Sequence, residues 1–315
     1  MRAVLFDVRY REWPHAAVDR KPDLLGFRHL LFANLADALK AGARLVKRDL
    51  LRGELAPVFR RAQAVYHLAA NPDVRLGRAG TKPTIDENVV ATHRVLEACR
   101  RAKVPRVVFM STSTIYGEAS TVPTPEDYAP LEPISVYGAS KLAGEALLSA
   151  YAHTFGVQAV IFRLANVVGP RSGHGVVVDF VRKLARDPTR LEILGSEPGT
   201  AKSYVHVRDV VEGILAGTRA AETPVSAYNV GSEDAITVRS LAEAIGEELG
   251  LANVAYHWTG GAGGGRGWAG DVRVMQLAID RLKSTGWRPR MTSEAAVRDA
   301  ARAAWSSVRK ARASS

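Results

Sequence analysis

The stretch that decides the fold runs from Arg106 to Gly117 and reads Arg-Val-Val-Phe-Met-Ser-Thr-Ser-Thr-Ile-Tyr-Gly. Its first five residues form the kind of short aliphatic run that builds a buried strand, and a cluster of hydroxyl side chains follows directly. In an open sheet of parallel strands, ligands bind at the carboxyl ends of the strands. The sequence therefore predicts a functional site where this strand ends.

Similar strand-like runs lie on both sides of this stretch and alternate with amphipathic segments of helical length. The predicted strands are 43–46, 64–68, 106–110, 157–162 and 227–230, and the predicted helices are 83–103, 135–155, 178–186, 207–218 and 238–249. Because parallel strands need crossover connections, this alternation predicts an α/β fold with a Rossmann-like, doubly wound parallel sheet. After about residue 167 glycine and proline become more frequent, which favours a smaller α/β C-terminal lobe. We expect one domain over 1–167 and a second over 168–315, with some segments of the second returning to the first.

The composition excludes several classes of protein. With 47% hydrophobic and 24% charged residues, the 315-residue chain is neither disordered, collagen-like nor a coiled coil. No apolar run approaches the roughly 18 residues of a membrane span. A single cysteine, Cys99, excludes an internal disulfide and a zinc site built from thiolates. We therefore expect a cytoplasmic protein that needs neither a membrane nor a metal.

The charge balance raises the question of nucleic-acid binding. The chain has 43 basic and 32 acidic residues, a formal net charge of +11. Nucleic-acid readers concentrate such charge in a patch with aromatic residues or in a known reading module. Here the arginines are scattered, with Arg60-Arg61 and Arg100-Arg101 as the densest pairs. A generally basic surface, or attraction of small anionic substrates, explains the charge better, and we expect no nucleic-acid partner.

Tyr137 and Lys141 stand four residues apart in a predicted helix, so their side chains share one face. A phenol with a pKa of ~10 is a poor base, but a lysine ammonium one turn away favours the phenolate. This spacing alone also occurs by chance on helix surfaces. The strand and hydroxyl cluster twenty residues earlier favour catalysis, with Thr112 as the hydroxyl that shares the proton. We predict Thr112, Tyr137 and Lys141 as the groups that remove a proton from an alcohol during hydride transfer.

Further motifs follow in a fixed order: Arg48-Asp49-Leu50, His67-Leu68-Ala69-Ala70, Glu87 to Thr92, Arg163 to Arg171, Lys202 to Asp209, and Arg266 with Gly270-Asp271. With the catalytic motifs they resemble the extended short-chain dehydrogenase/reductase family, the sugar-nucleotide epimerases and dehydratases, from about residue 34 to the end. The resemblance implies a Rossmann-like fold and bound NAD. It implies cofactor contacts from Asp49, Leu50, Leu68, Ala69, Ala70, Asn88, Tyr137, Lys141 and Ala165. It implies substrate contacts from Asn166, Val176, Val177, Lys202, Tyr204, Arg266 and Asp271.

The N-terminal segment departs from this family. After a strand-like Met1 to Leu5, the family carries a glycine-rich turn that cradles the cofactor pyrophosphate. Here bulky or charged side chains follow instead, in Phe6-Asp7-Val8-Arg9-Tyr10-Arg11-Glu12-Trp13-Pro14, and the first glycine is Gly26. Residues 6–32 as a whole are atypical of the family. Two explanations stay open: a disrupted reading frame over this segment, or divergence into a protein that binds the cofactor weakly or not at all. The glycines of 260–265 lack the phosphate-loop spacing and predict a flexible loop.

The hydroxyl cluster also bears on the reaction. Ser113 and Thr114 stand where dehydratases of this family carry an acidic pair, and Thr114 stands where decarboxylating relatives carry a glutamate. The resemblance therefore implies UDP-glucose 4-epimerase-like chemistry: oxidation at C4 of a UDP-sugar, rotation of the 4-keto sugar, and hydride return with tightly held NAD. The alternatives are a pseudoenzyme that binds sugar nucleotides without the cofactor loop, or another sugar-nucleotide epimerase or reductase. The family also implies a homodimer through the helices of 83–103 and 135–155.

Overall fold

The computed structural model describes residues 4–7, 37–72, 74 and 80–313. The atypical segment 6–32 lies outside these residues, except for Phe6 and Asp7, which end the first strand. The strands are β1 Val4–Asp7, β2 Arg44–Lys47, β3 Val65–His67, β4 Arg106–Thr112, β5 Gln158–Leu164, β6 Asn166–Val168, β7 Arg190–Ile193, β8 Ala201–Lys202, β9 Tyr204–His206, β10 Val225–Val230, β11 Ile236–Thr237, β12 Ala255–Trp258 and β13 Val274–Met275. The α-helices are α1 Ala56–Phe59, α2 Lys82–Ile85, α3 Ala91–Arg101, α4 Val136–Phe155, α5 Val176–Arg186, α6 Val207–Ala220, α7 Val238–Glu248, α8 Asp280–Lys283 and α9 Ser293–Ala313.

The largest sheet is parallel, as the alternating pattern predicts. One four-stranded sheet has the order β10-β5-β4-β3, and all of its strand pairs are parallel. β1 and β2 form a second parallel pair, in which Val4 faces Arg44. The strands of the C-terminal part form smaller sheets, β11-β8-β13, β12-β7 and β6-β9. The predicted strands are all present, with bounds that differ by a few residues. Four of the five predicted helices are present too, and the helix predicted over 83–103 is divided into α2, a π-helical segment Asp86–Val90 and α3.

The long helix α4 has a capping residue at each end, Ser135 and Gly156. Ser135 has an extended backbone, and its hydroxyl accepts a hydrogen bond from the Gly138 backbone N–H at 3.0 Å, which caps the first turn. Gly156 follows the last residue in the left-handed conformation, with φ of 70°, and ends the helix. Both caps come from residues that favour these positions. The helix that carries Tyr137 and Lys141 is therefore fixed at both ends.

Three clusters of buried apolar side chains hold the layers together. The first lies between β3, β4, β5 and the helices α3 and α4, and includes Leu96, Cys99 and Phe109. The second lies on the other face of the same sheet and the third fills the C-terminal part. Helices on both faces of one parallel sheet define the doubly wound arrangement. None of the helices in the described part of the chain is long and apolar enough to cross a membrane.

Gly144 allows α4 to approach β4 closely. A Cβ atom at this position would lie 2.7 Å from Cζ of Phe109, too close for any real contact. The Phe109 ring therefore packs against the helix backbone, and the ammonium of Lys141 lies 4.5 Å from the centre of that ring. One aromatic side chain of β4 thus supports the helix turn that carries the lysine.

Candidate active site

The predicted hydroxyl cluster lies at the carboxyl end of β4, where the chain turns sharply. Thr112 ends the strand, and its hydroxyl accepts hydrogen bonds from the backbone N–H and the hydroxyl of Thr114, both at 3.2 Å. A short 3₁₀ helix, Ser113–Tyr116, follows. Gly117 ends the turn with φ of 62°, and a Cβ there would lie 2.0 Å from the carbonyl oxygen of Glu132. The turn therefore requires glycine, as the Tyr-Gly motif suggests.

Tyr137 lies in the first turn of α4 and faces this cluster. Burial raises the pKa of the Tyr137 phenol to about 12, and a hydrogen bond with the Thr112 hydroxyl opposes part of that increase. The predicted pairing of Thr112 with Tyr137 is therefore present in the structure. Because the phenol is harder to ionise than a free tyrosine, it needs nearby positive charge to act as a base near neutral pH.

Lys141 supplies a buried positive charge one turn further along α4. Burial lowers its pKa to about 8, although the carboxylate of Glu145 opposes the change. The side chain is 3% exposed, and its ammonium lies over the face of the Phe109 ring. A buried ammonium is costly unless it is paired, so this group is suited to bind oxygen atoms of a ligand.

Asn88 holds the start of α4 against the loop that follows β3. It lies in a π-helical segment, Asp86–Val90, between α2 and α3. Its amide nitrogen donates to the carbonyl of Asn71 at 3.1 Å and to the Ser140 hydroxyl at 2.9 Å, and its amide oxygen accepts from the Asn71 backbone N–H at 2.6 Å. Asn88 is therefore a buried residue that positions the site.

Several predicted cofactor residues follow the carboxyl ends of β2 and β3. Leu68 directly follows β3 and is 63% exposed, whereas Ala69 and Ala70 are half-buried. The carboxylate of Asp49 is part-buried and accepts a hydrogen bond from the backbone N–H of Leu51 at 2.9 Å. The side chain of Leu50, by contrast, packs in the first cluster of the core. The cofactor contacts of these residues stay predictions.

The remaining predicted residues lie where β5 leads into the C-terminal part. Ala165 is buried and its N–H donates to the carbonyl of Val230 at 2.8 Å. The side-chain amide of Asn166 donates to the carbonyl of Ser203 at 3.2 Å. Val176 begins α5 and packs on the third cluster, and Val177 and Tyr204 are buried within it. The cofactor contact of Ala165 and the substrate contacts of the other residues stay predictions.

The predicted substrate residues Lys202 and Asp271 meet in one cluster, 69 residues apart in sequence. The Lys202 ammonium donates to the carboxylate of Asp271, which is almost fully buried. The second oxygen of Asp271 accepts from the backbone N–H of Gly267 at 3.3 Å. The ammonium also lies 5.5 Å from the ring centre of Trp268, whose indole N–H is buried without a partner in the described structure. The predictions gave no role to this tryptophan.

Arg266 joins the same cluster and contacts a carboxylate that the motifs did not predict. Its guanidinium donates to the carbonyls of Asp271 and Gly263, at 2.9 and 3.1 Å, and to Glu118 at 2.9 Å. Glu118 also accepts from the Nε of Arg273 at 3.2 Å. Glu118 and Arg273 line a cavity of about 560 Å³.

The glycines before Arg266 form a tight turn. A hydrogen bond of 2.8 Å from the Ala262 N–H to the Arg266 carbonyl closes this turn.

A buried polar network, which the predictions also missed, lies behind the predicted catalytic residues. Arg163 on β5 forms an ion pair with Glu145 on α4, with Nη2 at 2.8 Å from the carboxylate. The Ser111 hydroxyl donates to the same carboxylate, and Arg163 donates to the hydroxyl of Tyr116 at 2.8 Å. Tyr116 donates in turn to the side chain of Asn229 at 2.8 Å. The network fixes β4 and α4 relative to the turn Ser113–Tyr116, which carries the predicted hydroxyl cluster and is named the catalytic turn below.

Comparison with known proteins places the chain in a family. The model of the NAD dependent epimerase/dehydratase family matches residues 15–231, so the match begins earlier than the motifs predict, inside the atypical segment. The UDP-glucose 4-epimerase of Mycolicibacterium smegmatis is 32% identical over 258 residues, 78% of each chain.

Two solved structures extend the similarity to the fold. A crystal structure of a UDP-galactose 4-epimerase is 44% identical, with 83% of each chain covered and a TM-score of 0.74. MoeE5, solved in complex with UDP-glucuronic acid and NAD, is 27% identical, with 85% of this chain and 86% of that chain covered and a TM-score of 0.75. The family match covers more than half of the chain, and the catalytic motifs lie within it. The chain belongs to the NAD dependent epimerase/dehydratase family.

Proposed function

We propose that the chain is an NAD-dependent 4-epimerase that interconverts UDP-glucose and UDP-galactose. The observation that carries this proposal is the arrangement of Tyr137, bonded to Thr112, beside the buried ammonium of Lys141. These groups suit proton removal from a sugar hydroxyl. The similarity to the UDP-glucose 4-epimerase of Mycolicibacterium smegmatis and to a solved UDP-galactose 4-epimerase supports the choice of substrate.

The carboxyl edge of the sheet has the features of an NAD site. Exposed Leu68 and small Ala69 and Ala70 offer an apolar surface, and Lys141 presents a buried ammonium to ribose hydroxyls. We propose that Asp49 contacts the adenine side and that Asn88 and Ala165 support the nicotinamide side. NAD held by these residues would supply the hydride acceptor and donor that the reaction requires.

In the proposed mechanism the phenolate oxygen of Tyr137 takes the proton of the sugar 4-hydroxyl as hydride leaves C4. Thr112 donates a hydrogen bond to the same sugar oxygen. Lys141, with the positive charge of the nicotinamide, stabilises the phenolate against the burial that raises its pKa. After the 4-keto sugar rotates, Tyr137 returns the proton to the carbonyl oxygen while hydride is added to the opposite face, and the inverted alcohol leaves.

The surroundings of Thr112 favour epimerisation over elimination or decarboxylation. The 3₁₀ turn carries Ser113 and Thr114, so it offers hydroxyl groups where elimination requires an acid and a base. Glu145, the carboxylate behind this turn, accepts hydrogen bonds from Arg163 and Ser111. A carboxylate so engaged is poorly placed to transfer protons to the sugar.

We propose that the cluster around Lys202 and Arg266 binds the diphosphate of the substrate, with Asn166 and Tyr204 nearby. Lys202, Arg266 and Arg273 carry three positive charges against the two of Asp271 and Glu118, so the cluster has an excess of positive charge for an anion. We further propose that the sheet domain up to about residue 167 binds NAD, and that the lobe of 168–315 binds the sugar nucleotide.

The first test is the NAD content of the purified chain. We expect about one NAD per protomer to be released on denaturation, because the family holds its cofactor through the catalytic cycle and the sheet edge offers a surface for it. The nucleotide is quantified by chromatography. Protein that carries no NAD and takes up none when it is added would support the rival reading, a sugar-nucleotide-binding pseudoenzyme.

We also propose a cytoplasmic homodimer that forms through α3 and α4. The segment that precedes α3 exposes Ile85 and Val90, at 40% and 41% of their surface, and α4 presents the small side chains of Ala139, Ala146 and Ala150. Small residues let two helices approach closely. Sedimentation equilibrium is expected to give a dimer for the wild type and a monomer for Ala146→Arg. A monomeric wild type at micromolar concentration contradicts the proposal.

A further inference from the structure

Glu118 connects two parts of the site that are distant in sequence. It follows Gly117, the residue that ends the catalytic turn, and its carboxylate reaches Arg266 and Arg273 about 150 residues later. Burial alone raises the pKa of Glu118, but hydrogen bonds from Arg266 and Arg273 lower it overall, so the group is a carboxylate at neutral pH. A negative charge beside a site for an anion requires an explanation.

The first possible explanation is that Glu118 competes with the substrate for Arg266. The contacts favour a different role. The guanidinium of Arg266 has five N–H groups. Within the described part of the chain, three of them donate to protein acceptors, of which Glu118 alone is charged. The other two can donate to a ligand. A guanidinium held from three sides loses little conformational entropy when it binds a phosphate.

Glu118 is itself held independently of Arg266. Its carboxylate accepts the backbone N–H of Arg273 at 3.1 Å as well as the side chain of Arg273. Its backbone follows Gly117, which packs against the carbonyl of Glu132. A carboxylate fixed by these contacts can define the position of Arg266 relative to the turn that carries Thr112.

We propose that Glu118 is a positioning residue that fixes Arg266 for the substrate diphosphate and joins the diphosphate site to the catalytic turn. The proposal rests on the proposed function, because it assigns the anion as the diphosphate of a nucleotide sugar. It predicts that Glu118 contributes to the binding of UDP even in the absence of a sugar, and therefore independently of catalysis.

The experiment measures UDP binding by calorimetry to the purified protein and to Glu118→Ala, Glu118→Gln and Glu247→Ala. Glu247 forms a similar pair with Arg298, at 2.6 Å, between α7 and α9, and serves as the matched control. We expect the dissociation constant of UDP to rise about tenfold in Glu118→Ala, as for the loss of one charge-assisted contact. The increase should be smaller in Glu118→Gln, whose amide oxygen can still accept from Arg266. Glu247→Ala should bind as the wild type does.

Kinetic and stability measurements on Glu118→Ala distinguish a positioning role from a purely structural one. For Glu118→Ala we expect the KM for the UDP-sugar to rise by a larger factor than kcat falls. A lower melting temperature with unchanged UDP affinity overturns the proposal, because it indicates a purely structural role. Tighter UDP binding by Glu118→Ala also overturns it, because the carboxylate is then a competitor. Both results leave the epimerase assignment intact, whereas a wild-type protein that does not bind UDP overturns both.

Discussion

Replacing Tyr137 by phenylalanine is expected to lower kcat for UDP-galactose epimerisation by on the order of 10³-fold or more, while UDP binds within about twofold of the wild type. The substitution removes only the phenolic oxygen, which the structure places against Thr112. The ring keeps its place in the first turn of α4. The remaining hydroxyl of Thr112 is a far weaker base, so proton removal from the sugar should be lost. Rates are measured by a coupled assay for UDP-glucose, and binding by calorimetry.

The matched control is Tyr256→Phe, a loss of the same atom on β12, where the tyrosine ring packs against Arg239. We expect this variant to react at the wild-type rate. Substantial activity in Tyr137→Phe argues that another group removes the proton. Loss of UDP binding in Tyr137→Phe argues instead that the tyrosine shapes the substrate site, which is not the role proposed for it.

Replacing Glu145 by alanine is expected to lower the free energy of unfolding by about 3–5 kcal/mol, because it leaves a buried guanidinium without its carboxylate. The side chains of Arg163 and Glu145 are both less than 10% exposed. Nε and Nη2 of Arg163 donate hydrogen bonds to the Glu145 carboxylate. The alanine also leaves the Ser111 hydroxyl without its acceptor. Urea denaturation followed by circular dichroism measures the change.

Glu247→Ala again gives the comparison, because its ion pair with Arg298 lies at the surface and should contribute at most about 1 kcal/mol. A double replacement of Glu145 and Arg163 by methionine tests the cause, because it removes both buried charges and should recover much of the lost stability. A loss below about 1 kcal/mol in Glu145→Ala would show that water or another group compensates Arg163.

The sequence predicts the sheet and the helix that carries Tyr137 and Lys141 well because their signals are local. The helix predicted over 135–155 spans Val136–Phe155, since its capping serine and its terminal glycine are both readable in the sequence. The strand predicted over 106–110 continues to Thr112, which brings the hydroxyl cluster to the end of the sheet. Motif order then associates Tyr137 with Thr112, and the structure brings the two together.

The parts that escaped prediction depend on contacts between distant residues. The predicted helix 83–103 is interrupted by a π-helical segment, where Asn88 bonds to Asn71 and Ser140. Nothing near Glu145 in the sequence indicates that Arg163 is its partner. Glu118 likewise looks like an ordinary loop residue until the fold places it beside Arg266. The motifs that assign Leu50 and Val177 to ligands do not show that both side chains pack in the core.

The Phe109 ring makes two contacts with α4: it packs against the backbone at Gly144, and it lies next to the ammonium of Lys141. The edge of the ring fills space left by the missing Cβ, and its face lies beneath the ammonium of Lys141. The electrostatics of the site are therefore tied to the volume of the core. Efforts to make this protein more heat-resistant by enlarging or repacking residues near Phe109 would also change how readily Lys141 holds its proton.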